Sequence, residues 1–220
     1  MLVSHAFKFV FFPDPMGGAP WIERALQPWL DQPVASARRH SSKTMFFRGM
    51  TPREVELAFD IEGLSFRSYT RIALLRNPYV KMAQIYDRIA ASDPIWRARE
   101  RLGLPTPKFY PWLKATRPDR NGAGYRYSPR WRRYGAWSAD TWCSGCISHV
   151  VRSEDAATKL LPIFQGLGFT PAFGDRPNRD WQNPRVAGLY DPRSRLLIQE
   201  RYKTDLELYR VDWADMDLAA

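Results

Sequence analysis

Arg71-Ile72-Ala73-Leu74-Leu75-Arg76-Asn77-Pro78-Tyr79 reads as a strand that stops and a helix that starts. Ile72 to Leu75 is an unbroken apolar run, short enough for a strand buried on both faces. Pro78 cannot donate to a sheet ladder and suits a first helical turn. The spacing therefore predicts a strand over Arg71–Arg76 and a helix from Tyr79 to about Ala91. Upstream, Phe7–Phe12 is a second apolar run, ended by Pro13. The wider stretch Met1–Phe12 lacks a basic lead and is interrupted by Lys8, so it reads as strand and not as a signal peptide. A turn-rich loop, Pro13-Asp14-Pro15-Met16-Gly17-Gly18-Ala19-Pro20, leads into a helix over Trp21–Leu26. Downstream, Ile147–Val151 reads as a third strand, and Asp155–Leu167 as an amphipathic helix closed by Gly168.

Three further stretches complete the pattern. Asp31–Met50 is loop-like and basic. Thr51-Pro52-Arg53-Glu54 is a capping box with proline at the first helical position, opening a short helix through about Phe59. Asp191–Tyr209 reads as one long final helix. Strands alternating with helices predict an α/β fold in three layers, a mostly parallel sheet between helices. Ligands bind such sheets at the carboxyl ends of the strands. Both the Gly17-Gly18 loop and Arg76 follow strands directly.

The totals agree with a folded chain. Its 220 residues suit one domain, with an irregular Trp/Arg-rich excursion at about 93–146. An apolar content of 45% excludes a disordered chain, and no stretch is long enough to span a bilayer. The net charge of +10 favours anionic partners: nucleotides, phosphate or sulfate esters, acidic polysaccharides, nucleic acid or anionic membrane. Two cysteines imply no disulfide framework, and with no glycosylation acceptor the chain is expected to be cytoplasmic.

Individual residues carry chemistry with different force. A glycine loop between strand and helix is either a tight turn or a cradle whose backbone N–H groups approach an anion. The loop lacks the spacing of a Walker motif, which argues against an ordinary ATPase or GTPase. His40, in the basic loop Arg38-Arg39-His40-Ser41-Ser42-Lys43, is either an exposed histidine or a base of suitable pKa. His149 reads as structural, and His5 carries no signal. Cys143-Ser144-Gly145-Cys146 lacks a second ligand pair for zinc and reads as small residues in a turn, with a local disulfide as the alternative. Trp96, Trp112, Trp131, Trp137 and Trp142, interleaved with arginines, suit core plus a lid over a sugar-like or anionic acceptor. No recognised nucleic-acid module appears. Asp205, Glu207, Asp212, Asp215 and Asp217 read as a solvated face and tail, without calcium-loop spacing.

Ile72 to Tyr86, with Arg76-Asn77-Pro78 at its centre, resembles the 3′-phosphate motif of the sulfotransferase family. Phe9–Leu26 resembles that family's 5′-phosphosulfate loop. Arg39-His40-Ser41-Ser42 resembles its Lys/Gly-His-x-Thr/Ser segment, and Val150-Val151-Arg152-Ser153-Glu154-Asp155 its strand-to-helix junction. The tail from Pro177-Asn178 through Tyr190-Asp191-Pro192 to Tyr209 resembles its closing helix. The five pieces stand in the family's order and cover nearly the whole chain. The resemblance implies a P-loop NTPase-like fold and transfer of a sulfuryl group from 3′-phosphoadenosine-5′-phosphosulfate (PAPS) to a hydroxyl or amine, leaving 3′,5′-ADP, with no metal. It implies a carbohydrate or small-molecule acceptor. Pro13, Gly17, Gly18 and Ala19 would lie against the 5′-phosphosulfate, Arg76 and Gln84 against the 3′-phosphate, and His40 would be the base.

Two departures matter. Asp14 stands where the family has the loop lysine that neutralises the leaving group, and the loop is one residue longer. Gln84 replaces the serine of the 3′-phosphate helix. Lys43, Arg48 or Lys81 could supply the missing charge. A second reading is a chain that binds 3′,5′-ADP, PAPS or a polyanionic partner without transferring sulfate. A third, resting on charge and the Trp/Arg region, is a polyanion or nucleic-acid binder.

Overall fold

In a computed structural model of the chain, the described residues are 1–13, 20–35, 45–47, 49–116, 137–139, 145–174 and 184–209. The predicted central strand forms as β3 (Thr70–Leu75). Its side chains from Ile72 to Leu75 are buried on both faces, as an uninterrupted apolar run requires. β2 (Phe9–Phe12) pairs parallel to it, Phe12 opposite Ala73. β4 (His149–Arg152) pairs parallel on the other side, Leu75 opposite Arg152.

The N-terminal stretch departs from expectation. It is a hairpin, not one strand: β1 (Leu2–Ser4) runs antiparallel to β2, Leu2 opposite Phe11. Lys8 sits in the turn at φ 48°, a left-handed conformation that only a turn demands of a non-glycine residue. The sheet order is β1-β2-β3-β4, an α/β architecture with a mostly parallel four-stranded sheet. The third strand also lies later than predicted, so Arg152 belongs to it and Ile147 does not.

The chain divides into two compact units, Met1–Arg76 with Trp142–Asn178, and Asn77–Thr141 with Arg179–Ala220. In the first, α1 (Pro20–Leu26) buries Trp21, Ile22 and Leu26 against Phe9, Phe11, Ile72 and Leu74. After a 3-10 turn over Ser153–Asp155, α6 (Ala156–Gly166) adds Ala156, Leu160 and Phe164 to the same cluster. Phe12, pointing the other way along β2, meets Phe66, and Phe66 meets Phe59 of α2 (Pro52–Ile61). Helices thus cover both faces, compatible with three layers.

α2 begins where its capping box predicts. The Thr51 hydroxyl accepts from the Glu54 N–H, and the Glu54 carboxylate accepts from the Thr51 N–H at 2.7 Å. Thr51→Ala is expected to cost about 1 kcal/mol, measured as a shift in the urea midpoint; an unchanged midpoint would mean that the box contributes nothing.

The second unit is helical among its described residues. α3 (Pro78–Ser92) starts at Asn77, whose side-chain oxygen accepts from the Tyr79 N–H at 2.9 Å. The stretch read as irregular contains two helices, α4 (Pro94–Arg101) and α5 (Phe109–Ala115). Asp93 ends α3 and caps α4, accepting from the Ile95 N–H at 2.9 Å, and Pro94 takes the first helical position. α7 (Pro184–Leu189), α8 (Pro192–Arg201) and α9 (Lys203–Tyr209) follow. The predicted final helix is therefore two pieces, broken at Tyr202, whose buried ring brings its hydroxyl to the Met82 sulfur at 3.1 Å. Arg201 donates to the carbonyls of Leu113, Lys114 and Thr116, closing the carboxyl end of α5. At the start of α8, hydrogen bonds from the Ser194 hydroxyl and N–H hold the Asp191 carboxyl below the usual carboxylate range.

Candidate functional site

Strand direction gathers the candidate anion-binding groups at one edge. β2, β3 and β4 are parallel, so their carboxyl ends lie side by side. Pro13 follows β2, Arg76 follows β3, and Arg152 ends β4. Pro13, Arg76 and Arg152 are each half-buried. Ser153 ties two of these ends together, its hydroxyl donating to the Leu75 carbonyl at 2.7 Å. Arg152 is braced from below: its Nε donates to Asp155 Oδ2 at 2.6 Å and its Nη2 meets the same oxygen. An ion pair at this exposure contributes little stability. Its effect is to fix the direction of one guanidinium at the strand end. Two arginines on neighbouring strand ends can offer forked donors to a phosphate or sulfate.

The amino ends of the strands differ. There the Ser148 hydroxyl accepts from the Arg71 N–H at 2.9 Å and donates to the Arg71 carbonyl at 3.0 Å. The Cys146 thiol is free, buried, and donates to a Glu56 oxygen at 3.5 Å. Burial, and then the Glu56 carboxylate, push its pKa up, which makes it a poor nucleophile. His149 is exposed at this end, not part of the core.

His5, without signal in the sequence, is held three ways. Its N–H donates to Asp31 at 2.7 Å. Its Nε2 lies 2.9 Å from the Gln32 side-chain oxygen, and its Nδ1 2.8 Å from the Tyr69 hydroxyl. The glutamine oxygen can only accept, so Nε2 donates to it. An open cavity of about 430 Å³ nearby includes Leu2, Glu23, Gln27, Asp31 and Gln32 in its lining. Its carboxylates suit an anion poorly, so it does not compete with the arginine edge.

The sequence-derived site is only partly within view. Gly17, Gly18, Ala19, Asp14 and His40 lie outside the described residues, as do Lys43, Arg48, Trp131, Trp142, Cys143, Pro177 and Asn178. Pro13 and Arg76 share the sheet edge in the first unit. Gln84 is half-buried on α3 in the second unit. Arg152 was not among the residues assigned a ligand-binding role. Its signal was the basic residue just past Val150-Val151, which a strand ending one residue earlier left unassigned.

Two readings are corrected. Lys81 is not a spare cation for the loop. It is 5% exposed on α3, donating to the Trp137 carbonyl at 2.9 Å, 3.5 Å from Asp205 Oδ1 and 5.0 Å from the Tyr202 ring centre. Asp205 is not on a solvated face. It is 2% exposed, and its second oxygen accepts from the Ala139 N–H at 2.8 Å. Nearby, Tyr190 donates to the Tyr79 carbonyl at 2.7 Å, and burial, with Tyr202 and Tyr79 adding to it, holds its pKa well above the ordinary range.

Among the described residues, no group of His, Cys, Asp and Glu is placed to hold a metal ion, and no helix is long and apolar enough to cross a membrane. No family model, curated protein or solved structure matches the chain.

Proposed function

We propose that the chain is a sulfotransferase of the P-loop NTPase-like class, moving a sulfuryl group from PAPS to a hydroxyl or amine of a carbohydrate or small-molecule acceptor. The observation that supports this reading is the position of Arg76 and Arg152 at the carboxyl ends of neighbouring parallel strands, beside a strand that leads into the glycine loop. The guanidinium of Arg76 and that of Arg152, the latter held by Asp155, suit a donor that carries phosphate at two positions. PAPS carries the sulfuryl group in an activated phosphate–sulfate mixed anhydride. Arg76 holds the 3′-phosphate. Gly17, Gly18 and Ala19 offer backbone N–H groups to the 5′ end. His40 takes the proton of the acceptor hydroxyl as its oxygen bonds to sulfur and the sulfur–oxygen bond to the 5′-phosphate breaks. The protein leaves the 3′,5′-ADP product free to dissociate.

Asp14 favours the second reading, binding of the nucleotide without transfer. Replacing a preorganised cationic donor by a carboxylate removes a contribution of roughly 10²–10³ in rate. The experiment that separates the two supplies PAPS labelled in its sulfur to the wild-type chain with a panel of sugars, phenols and amines. Label moving to an acceptor supports the transferase. Nucleotide binding without label movement to any acceptor supports the second reading and overturns the first.

A further inference from the structure

The open cavity of about 430 Å³ in the first unit has a volume within the range of small-molecule sites. Its walls come from three pieces of chain: β1, the end of α1 with the 3-10 turn Gln27–Trp29 that follows it, and residues 30–35. Leu2, Leu30 and Val34 give it apolar surface. The last of the three pieces is pinned to the turn of the N-terminal hairpin. Asp31 Oδ1 accepts from the His5 N–H and Oδ2 from the Ala6 N–H, both at 2.7 Å. Gln32 is turned to the fold as well. Its side-chain oxygen accepts from His5 Nε2 at 2.9 Å, and its amide nitrogen donates to the Pro33 carbonyl at 3.3 Å.

What this wall offers a ligand is an oriented acceptor. Each Asp31 oxygen keeps a lone pair beyond the one that the backbone uses. Glu23 adds a second carboxylate to the lining, one helical turn before Gln27. Among the described residues, no lysine, arginine or histidine lines the cavity, in a chain whose net charge is +10. The local field is therefore opposite in sign to that of the molecule as a whole. A hard metal ion fits this lining poorly. Calcium takes six to eight oxygen ligands, and among the described residues no group of His, Cys, Asp and Glu is placed to hold a metal. A cation with several N–H donors on a hydrocarbon body uses both halves of the lining, the carboxylates and the aliphatic side chains.

We infer that this cavity binds a small organic amine in its protonated form, one with a compact hydrocarbon body. The ammonium group donates to Asp31, with Glu23 adding to the negative field. The hydrocarbon lies against Leu2, Leu30 and Val34. Asp31 is exposed, so solvent screens its ion pair and the complex is weak, with a Kd in the roughly millimolar range. The inference stands apart from the enzymatic reading, because the cavity and the arginine edge carry opposite charge.

The test is an NMR titration of the full chain with cyclohexylamine. Cyclohexanol and cyclohexanecarboxylate serve as neutral and anionic controls of the same body. The amine is expected to shift the backbone amides of Leu2, Gln27 and Val34, and to bind at least about tenfold tighter than the alcohol. The carboxylate is expected not to bind. Asp31→Asn is expected to weaken amine binding roughly tenfold. That change also takes an acceptor from the hairpin turn, so a second variant reads the cavity independently. Val34→Trp fills the space, leaves both carboxylates in place and is expected to abolish binding. Urea midpoints close to that of the wild type confirm that the variants fold. Equal affinity for amine and alcohol overturns the inference, as does amine binding that survives Val34→Trp. Absence of shifts at these amides up to about 50 mM amine overturns it too. A capped lysine tripeptide that binds about tenfold tighter than cyclohexylamine also overturns it, assigning the cavity to a lysine of a protein partner.

Discussion

Asp205→Ala is expected to destabilise the second unit by about 3–5 kcal/mol, the cost of leaving a buried charge without its partner. Lys81 and Asp205 are 5% and 2% exposed, so neither can turn to water when the other is removed. The loss is larger than one ion pair. Asp205 Oδ2 also accepts from the Ala139 N–H at 2.8 Å, and that donor would be stranded in the same place. Urea unfolding measures the effect, and a change below about 1 kcal/mol would show that the pair is solvated. Replacing both partners, Lys81→Met with Asp205→Leu, is expected to recover the part of the loss that comes from the unpaired charge, while the Ala139 N–H still lacks its carboxylate acceptor. The same double variant separates structure from ligand binding. If Lys81 served a phosphate, nucleotide affinity would fall with it; with Lys81 committed to Asp205 and the Trp137 carbonyl, affinity stays.

His40→Ala is expected to lower sulfuryl transfer by about 10²–10⁴-fold, the range for a positioned acid–base group, and to leave affinity for 3′,5′-ADP unchanged. The division between rate and binding matters. A histidine that contributed to nucleotide binding instead would lower affinity together with the rate. A plot of rate against pH adds a second readout: the wild-type rate falls as a histidine-type group protonates at low pH, and the variant loses that limb. A rate within about threefold of wild type would remove His40 from the reaction.

How far the sequence carried the fold depends on whether the relevant contacts are local. The capping box Thr51–Glu54 and the Asn77-Pro78 helix start were legible because both partners sit within three positions. β2 and β3 were legible as apolar runs bounded by proline. The hairpin at the N-terminus was not, because its turn uses Lys8 at φ 48° in place of the glycine or asparagine that would announce it. α4 escaped notice because it buries no face, so no apolar period marks it; its one local sign was Asp93-Pro94. Asp205 looked solvated among the acids of the tail because the residue that pairs with it is 124 positions away. The site divides along the same line. Arg76 was visible as a cation ending an apolar run, whereas the brace of Arg152 by Asp155 and the Ser153 bond to Leu75 depend on the register between strands that the sequence does not display.

The central claim is that the carboxyl edge of the sheet binds a nucleotide carrying a 3′-phosphate. Calorimetric titration with 3′,5′-ADP tests it most directly, with 5′-AMP as the control ligand and Arg76→Ala beside the wild type. The account predicts micromolar binding, roughly 8 kcal/mol, for 3′,5′-ADP. It predicts a loss of roughly 10- to 100-fold when either the 3′-phosphate or the Arg76 guanidinium is removed, as expected for charge-assisted hydrogen bonds of about 1.5–3 kcal/mol. Equal affinity for the two nucleotides, or an Arg76→Ala variant that binds 3′,5′-ADP like the wild type, would contradict it.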